Sequence, residues 1–405
     1  MVSILARKAC LCVALCMLTD MINAETSDPG SSNTPVPPVA VSGSPSASST
    51  LKSEMRYRSW FDQHGLTGNL ALTNDWSENF HGGAEQGTAE RYLFKTALTI
   101  DTDKSFGWPG GTALVSLQHH LGDDGGHQVG DAQGFSNIDA PQRTHLYELW
   151  YQQVLFGRKL RVKAGKVDAN SEFAVVENAS DFLNSSMGYS PTIMTLPTYP
   201  EPRPSMNVFL QPSEHYSVAG GFYQVAGTGG LWLGEAGKRW ALGTRELPGR
   251  TSLGFWRLNG TVADFDSGEQ AGTAGFYLVS EQTLWRPRQP EPTREEAVSA
   301  FLQYGSADGD VSSFRRHLGG GLVWQNLFHR RPKDAVGIGA TQVLFSELPE
   351  AGFEYRNELA VETYYRLQVV RGVVLVPDLQ YIRHPGGLRC QRDAVVLTPR
   401  VVLSF

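Results

Sequence analysis

The chain has 405 residues, with 35 Lys and Arg against 41 Asp and Glu. That mildly acidic balance excludes the broad basic face on which nucleic-acid binding depends, and no stretch of 18 apolar residues is present to form a helical membrane span. A hydrophilic chain can still be integral to a membrane when its apolar residues alternate with polar ones.

The first 24 residues read as a secretory signal peptide. Arg7 and Lys8 form a basic start, Ala9 to Leu18 an apolar core, and Ile22, Asn23 and Ala24 a cleavage site. An apolar core of roughly ten residues falls short of the roughly 20 that a spanning helix needs. No small residue precedes Cys16, so a lipoprotein site is not expected. Cys10, Cys12 and Cys16 leave with this segment, and Cys390 alone cannot form an internal disulfide. Residues 25–53 are rich in Pro, Ser, Thr and Gly (SSNTPVPPVAVSGSPSASST) and lack the apolar surface to offset ordering, which predicts a disordered tether. From Glu54 to His64 a short helix is expected, with Met55, Trp60 and Phe61 on one face and Gly65 as its stop.

Beyond Gly65 the chain becomes a succession of alternating segments separated by Gly, Pro, Asp and Asn. Leu66 to Asp75, Tyr92 to Asp101, Thr112 to Gln118 and Leu146 to Gln153 read this way. In Leu318, Leu322 and Trp324 the apolar residues share one side, and a turn-rich FHRRPKDA leads to a return strand from Val336. The clearest segment is Glu358 to Val369. Leu359, Val361, Tyr365, Leu367 and Val369 fall on one face, and Glu358, Glu362, Tyr364, Arg366 and Gln368 on the other. Charges at every second residue of a long strand need water, whereas the opposite face needs lipid or a core. Leu379 and Tyr381 repeat the division against Asp378 and Gln380, and Tyr365 and Tyr381 fit an aromatic girdle.

The last segment, DAVVLTPRVVLSF, sets Val395, Leu397, Val401, Leu403 and Phe405 against Thr398, Arg400 and Ser404. A buried terminal strand of a soluble sandwich carries the same alternation. Export, many alternating segments and an aromatic terminus favour a sheet closed on itself, because in hydrocarbon every backbone amide must be paired. Roughly 350 residues after the tether accommodate about 14 to 18 strands of 9–11 residues, and an even count near 16 leaves an aqueous lumen. The fold expected over 54–405 is an all-β, antiparallel transmembrane barrel of one domain. Phe405, ending the chain inside a strand, is the expected signal for barrel-assembly machinery.

At Val129 to Asn137, VGDAQGFSN, the sequence resembles the carbohydrate-selective porin (OprB) family of Gram-negative outer membranes. The likeness continues through THLYELWYQQVLF, LRVKAGKVDANSEFAVVENASDFLNSSMG, GFYLVSEQTLWRP and VPDLQYIRHPGG to the terminal strand. It covers about Gly65 to the end; the tether and a loop expected around Glu235 to Pro248 depart from it. The resemblance implies a 16-stranded barrel, inward-folded loops, passive diffusion of small sugars, outer-membrane lipid around the wall and no cofactor. Lys166, Asp168 and Asn170 suit a sugar path, because fixed donors and acceptors replace the water around a neutral polyol. A strand-to-loop junction whose polar side chains satisfy backbone is the alternative for GKVDAN. The wider set expected in the lumen is Glu148, Lys166, Asp168, Asn170, Glu362, Arg366 and Asp378.

Enzyme signatures are absent. HExxH, GxSxG and Walker A patterns do not occur, and Gly337 and Gly339 sit in a strand pattern rather than a dinucleotide turn. His119 and His120 point to opposite faces of a strand and cannot share one metal ion. The acidic run with Asp123, Asp124 and Asp131 lacks EF-hand spacing and is expected to be a solvated loop. A general diffusion pore, a barrel enzyme acting on lipid or glycan, and a soluble glycan-binding sandwich remain as alternatives. The sequence leaves the oligomeric state open.

Overall fold

A computed structural model describes residues 60–227, 229–266, 268–287, 296–328, 331 and 333–405. The expected signal peptide, the tether and the start of the short helix lie outside the described residues. The helix's end is present: Trp60 C=O accepts the His64 N–H at 3.1 Å. Gly65 then turns at φ 70°, where an added Cβ would stand 2.7 Å from the Asp101 carbonyl.

Sixteen antiparallel strands follow among the described residues. They are β1 Leu66–Gly83, β2 Gly87–Asp101, β3 Gly111–Gly122, β4 Thr144–Leu155, β5 Leu160–Val167, β6 Arg203–Leu210, β7 Tyr216–Tyr223 and β8 Gly230–Leu242. Then come β9 Leu247–Asp264, β10 Gly268–Trp285, β11 Ala297–Ser306, β12 Phe314–Gln325, β13 Ala335–Phe345, β14 Asn357–Val370, β15 Val373–Arg383 and β16 Arg392–Ser404. Each pairs with its sequence neighbours, and β16 pairs with β1 to close the barrel. The Phe405 N–H donates to the Leu70 carbonyl at 2.9 Å at the seam. Closure removes every free sheet edge, as a hydrocarbon surround requires. The expected loop around Glu235 to Pro248 is instead a hairpin, because β8 runs on to Leu242 and β9 starts at Leu247.

Period-two alternation decides the faces. On β14, Glu358 and Glu362 are buried inside, while Leu359, Val361 and Tyr365 face out. Leu318, Leu322, Ile338, Leu379 and Leu397 are exposed apolar residues on the outer wall. Tyr365 and Tyr381 stand at opposite rims, and each hydroxyl donates to a carboxylate, Asp334 at 2.5 Å and Asp393 at 2.6 Å. Such tyrosines keep a ring in lipid and a hydroxyl in water. Short turns such as 371–372 lie at the end carrying β1's start and β16's end. Long connections lie at the other end, which is the extracellular one by the usual asymmetry of these barrels.

Two of those long connections fold into the barrel, 123–143 between β3 and β4 and 168–202 between β5 and β6. The second brings its own apolar core. Phe173, Phe182, Leu183 and Met187 pack on inward residues including Trp256, Tyr277, Phe301 and Tyr364. Phe182 meets the Tyr364 ring edge-on at a centroid distance of 4.8 Å. Glycines on the inner wall make room for this packing. An added Cβ at Gly337 would come 2.2 Å from the Tyr364 ring, and one at Gly339 would come 3.0 Å from Phe182.

Candidate functional site: the narrowed lumen

The wall holds the inward segment 168–202 through carboxylates that accept backbone N–H groups. Glu362 on β14 accepts from Leu183 at 2.5 Å and Asn184 at 3.1 Å. Glu235 on β8 accepts from Ala174 at 3.0 Å, and Glu281 on β10 accepts from Asn178 at 2.7 Å. Gln303 on β11 donates to the carbonyls of Ser186 and Met187 at 2.7 and 2.9 Å. These bonds meet the needs of irregular backbone that would otherwise be buried unpaired. The segment is therefore a fixed shelf across the lumen.

Segment 123–143 is fixed on the adjoining arc, also at β14 and onward to β15. Glu358 accepts from the N–H groups of Ala132 at 2.8 Å, Gln133 at 3.1 Å and Gly386 at 2.6 Å. Gln380 donates to the Phe135 carbonyl at 2.7 Å. The two segments also clasp each other, with Asn137 N–H donating to Leu183 O and Ser185 N–H to Gly134 O at 2.7 and 2.8 Å. Asp131 in this segment is raised well above the ordinary carboxylate range by burial, with the charges of Glu358 and Asp139 adding to the shift. Both its oxygens are shielded from solvent, with only poorly aligned backbone N–H contacts from Asp131 itself and Gly134. The expected solvated loop is thus packed at Asp131. Asp124 accepts the Gly126 N–H at 2.7 Å, and no cluster of three metal-ligating side chains occurs among the described residues.

Two charged clusters flank the shelf, and within them Arg366, Asp181 and Arg161 stay partly exposed. Arg366 on β14 lies 3.3 Å from Asp181 of the shelf, and both are about one-third exposed, at 29% and 32%. Arg400 on β16 grips Asp75 of β1 with two bonds of 2.7 and 2.8 Å and donates to Asn137 at 2.8 Å. A second group runs down β5. Arg161 and Lys163 both bind Glu172 of the shelf, at 2.6 and 2.7 Å. Arg161 stacks 3.6 Å from the Phe209 ring centroid, and the Lys163 ammonium stands 3.8 Å from that of Trp150. Cation–ring contacts of this kind hold long side chains in one pose.

The expected site residues divide. Arg366 faces inward and stays partly exposed beside Asp181. Asp168 begins the shelf and pins its two ends together, accepting from Asn170 N–H at 3.0 Å and from the Thr198 hydroxyl at 2.7 Å, and also from the Tyr147 hydroxyl. Asn170 donates to the carbonyls of Phe173 and Ala174, which is the backbone-satisfying alternative for this junction. Glu148 is buried and accepts from Asp168 N–H and from the Trp150 indole, each at 3.2 Å. Glu362 and Asp378 are also buried, Glu362 beneath the shelf, and so support the shelf and its surroundings rather than contact solute. Lys166 is a correction. It pairs with outward Leu149, lies on the face of β5 opposite Lys163, and donates to the Leu146 carbonyl at 2.5 Å.

The sequence reading missed Asp75, Asp181, Arg161, Lys163 and Glu172. Arg161 and Lys163 alternate in LRVKAGKV, and Asp75, Ser77 and Asn79 alternate in β1, so a period-two signal was available for three of the five. Asp181 and Glu172 lie in irregular backbone, where no periodicity marks a facing. A bulge adds a further break: Ser116 pairs with Glu148 but Leu117 with Leu146, so Tyr147 and Glu148 both point inward.

A closed barrel of sixteen strands, with two inward segments narrowing a lumen of paired charges, is a porin. The carbohydrate-selective porin, OprB family, profile matches residues 85–405, and the chain belongs to that family. It is accordingly a passive, carbohydrate-selective channel of the Gram-negative outer membrane. Porin B of Pseudomonas aeruginosa is 22% identical over 411 aligned positions, spanning 85% of this chain and 88% of the relative. The high-pH structure of Pseudomonas putida OprB matches with a TM-score of 0.77 at 19% identity, covering 87% of this chain and 97% of that one. The low-pH structure of the same protein gives 0.61 at 18% identity with the same coverage. An OmpT loop-deletion form from Vibrio cholerae gives 0.52 at 7% identity, covering 84% and 99%. At these identities the structural likeness speaks for the fold.

Proposed function

We propose that this porin selects mono- and small oligosaccharides at the passage between the shelf 168–202 and the arginine-bearing wall of β14 and β16. The half-exposed Arg366–Asp181 pair carries the reading, because it leaves a donor and an acceptor open to solvent beside an otherwise buried shelf. A neutral polyol exchanges its water for such groups without charge cost, whereas a free ion meets charges that are already paired. Binding stays weak, since a tight site would stop flux. The residues that support passage in this reading are Arg366 and Asp181, with Arg161 along the wall, while buried Arg400 and Lys163 hold Asp75 and Glu172 in place. Asp168, Glu148, Glu362 and Asp378 set the geometry.

Residues 1–24 and 25–53 serve as signal peptide and tether in this reading, and Phe405 presents the terminal strand to the assembly machinery. The barrel performs no chemistry on its solute. Single-channel current in a planar bilayer, titrated with glucose, longer glucans and a sugar-sized linear polyol, tests the proposal. Saturable, sugar-dependent block that weakens in Arg366→Ala is the expected result. Conductance steps without sugar dependence would make the channel a general diffusion pore and overturn it.

A further inference from the structure

Two arginines on the outer wall near the extracellular rim take no part in the lumen. Arg316 on β12 lies near the extracellular rim and faces out, as does Leu318 two residues on. Register carries this level around the wall: Arg316 pairs with Leu344, Leu344 with Asn357, and Leu359, two residues along β14, with Arg383 on β15. Arg383 thus lies three strands from Arg316 on the same face, about 14 Å around the wall at a strand spacing of about 4.8 Å. Both side chains are exposed, and neither forms a direct ion pair among the described residues, Arg383 meeting Asp393 only through the longer-range field of its charge. Arg315, next in sequence, differs: it pairs with Glu347 at 2.7 Å. The acid nearest Arg383, Asp393, is engaged by the Tyr381 hydroxyl at 2.6 Å and the His384 N–H at 3.1 Å.

Just below this level the wall is apolar, with Leu318, Leu379 and Tyr381 exposed. Two exposed guanidinium groups without a direct ion pair, above an acyl-chain surface, match an amphiphile with acidic heads. Guanidinium binds phosphate through two parallel N–H bonds, and the interface rather than the bilayer centre is where an outward arginine costs little. We propose that Arg316 and Arg383 bind the headgroup of a phosphorylated glycolipid of the outer leaflet, one phosphate to each arginine. Its acyl chains lie along the face of β12 to β15. The proposal concerns the outer wall and stands apart from the sugar path.

Purified barrel in mild detergent is titrated with bis-phosphorylated, hexa-acylated lipid A, and lipid retained on the intact barrel is read by native mass spectrometry. The double variant Arg316→Gln/Arg383→Gln should bind at least about ten-fold more weakly. Lys238→Gln, on the outer wall near the opposite rim, should bind as the parent does. Lipid A stripped of both phosphates should lose affinity to the same degree, and pyrophosphate should not displace the bound lipid at equimolar concentration. Heat-modifiable gel mobility confirms that each variant is a closed barrel, and Arg316→Lys serves if the double variant fails to close, with an intermediate loss expected. Equal binding by parent and variant, or by lipid A without phosphates, would overturn the proposal. Displacement by equimolar pyrophosphate would reassign the site to free phosphate.

Discussion

Replacing Glu362 with Ala tests whether the shelf is held by wall carboxylates. Its two oxygens accept the buried N–H groups of Leu183 and Asn184 at 2.5 and 3.1 Å. Each of the two buried N–H groups left without its acceptor costs about 1–3 kcal/mol, so the change removes about 2–6 kcal/mol from the attachment. At about 1.4 kcal/mol per decade, the population with this part of the shelf detached rises by about 10 to 10⁴. The barrel wall itself keeps its ladder hydrogen bonds and should still close. Single-channel recording should therefore show normal insertion, a larger mean conductance, added open-state noise and weaker sugar block. Glu362→Gln keeps one acceptor oxygen and should fall between parent and Ala. Unchanged conductance and noise in Glu362→Ala would show that the apolar packing alone holds the shelf, and would refute the reasoning.

The apolar half of that attachment has its own test: Phe182→Ala empties a fully buried ring site between Phe301 and Tyr364, and should cost about 3–5 kcal/mol and raise channel noise in the same recordings. On the outer wall, Leu379→Arg lies mid-strand beside Leu397 and should cost about 2–4 kcal/mol of barrel stability, measured by urea unfolding in lipid vesicles. Leu367→Arg, four residues before the 371–372 turn, should cost about 0–1 kcal/mol, and equal costs would mean the depth assignment is wrong. For pH, Asp131 has a raised value in the folded chain, so its stabilisation is complete in acid and is lost as pH climbs through that raised value. Protection factors at Ala132 and Gln133, with intrinsic base-catalysed exchange divided out, should fall in the parent as pH climbs through the raised value of Asp131 and hold steady in Asp131→Asn; the same fall in both would exclude Asp131 as the cause.

The legible part of this fold is the part where the two faces of a strand differ. On β14 the inward residues include Glu358, Glu362 and Arg366, and the outward ones Leu359, Val361 and Leu367, so one reading of period two assigns both faces. On β9 the same test fails. Phe255 faces lipid, while Trp256 and Leu258 face inward and are buried against the shelf. Large apolar residues sit on both faces there, so period two does not tell which side is lipid. The loop expected around Glu235 to Pro248, EAGKRWALGTRELP, is the end of β8, its turn and the start of β9. The expected site set failed for a related reason: buried Glu362 and half-exposed Arg366 share one face of one strand, and only the shelf lying over Glu362 separates their roles. The shelf is irregular backbone, and no local pattern announces which wall it covers.

That covering also explains how a water-filled barrel carries an apolar core. A shelf held only by surface ion pairs would gain little from each, about 0–1 kcal/mol, and would exchange with solvent. Here Phe182, Leu183 and Met187 leave water on one side of the shelf, so the wall carboxylates beneath it act in a shielded setting where their N–H partners have no competing solvent. Asp181 precedes this apolar run directly, and its carboxylate meets Arg366 on the open side. One residue step thus separates the group offered to solute from the groups that fix it. A rigid support under a weakly binding pair is what selective flux demands: the passage keeps its shape while each contact stays cheap to break.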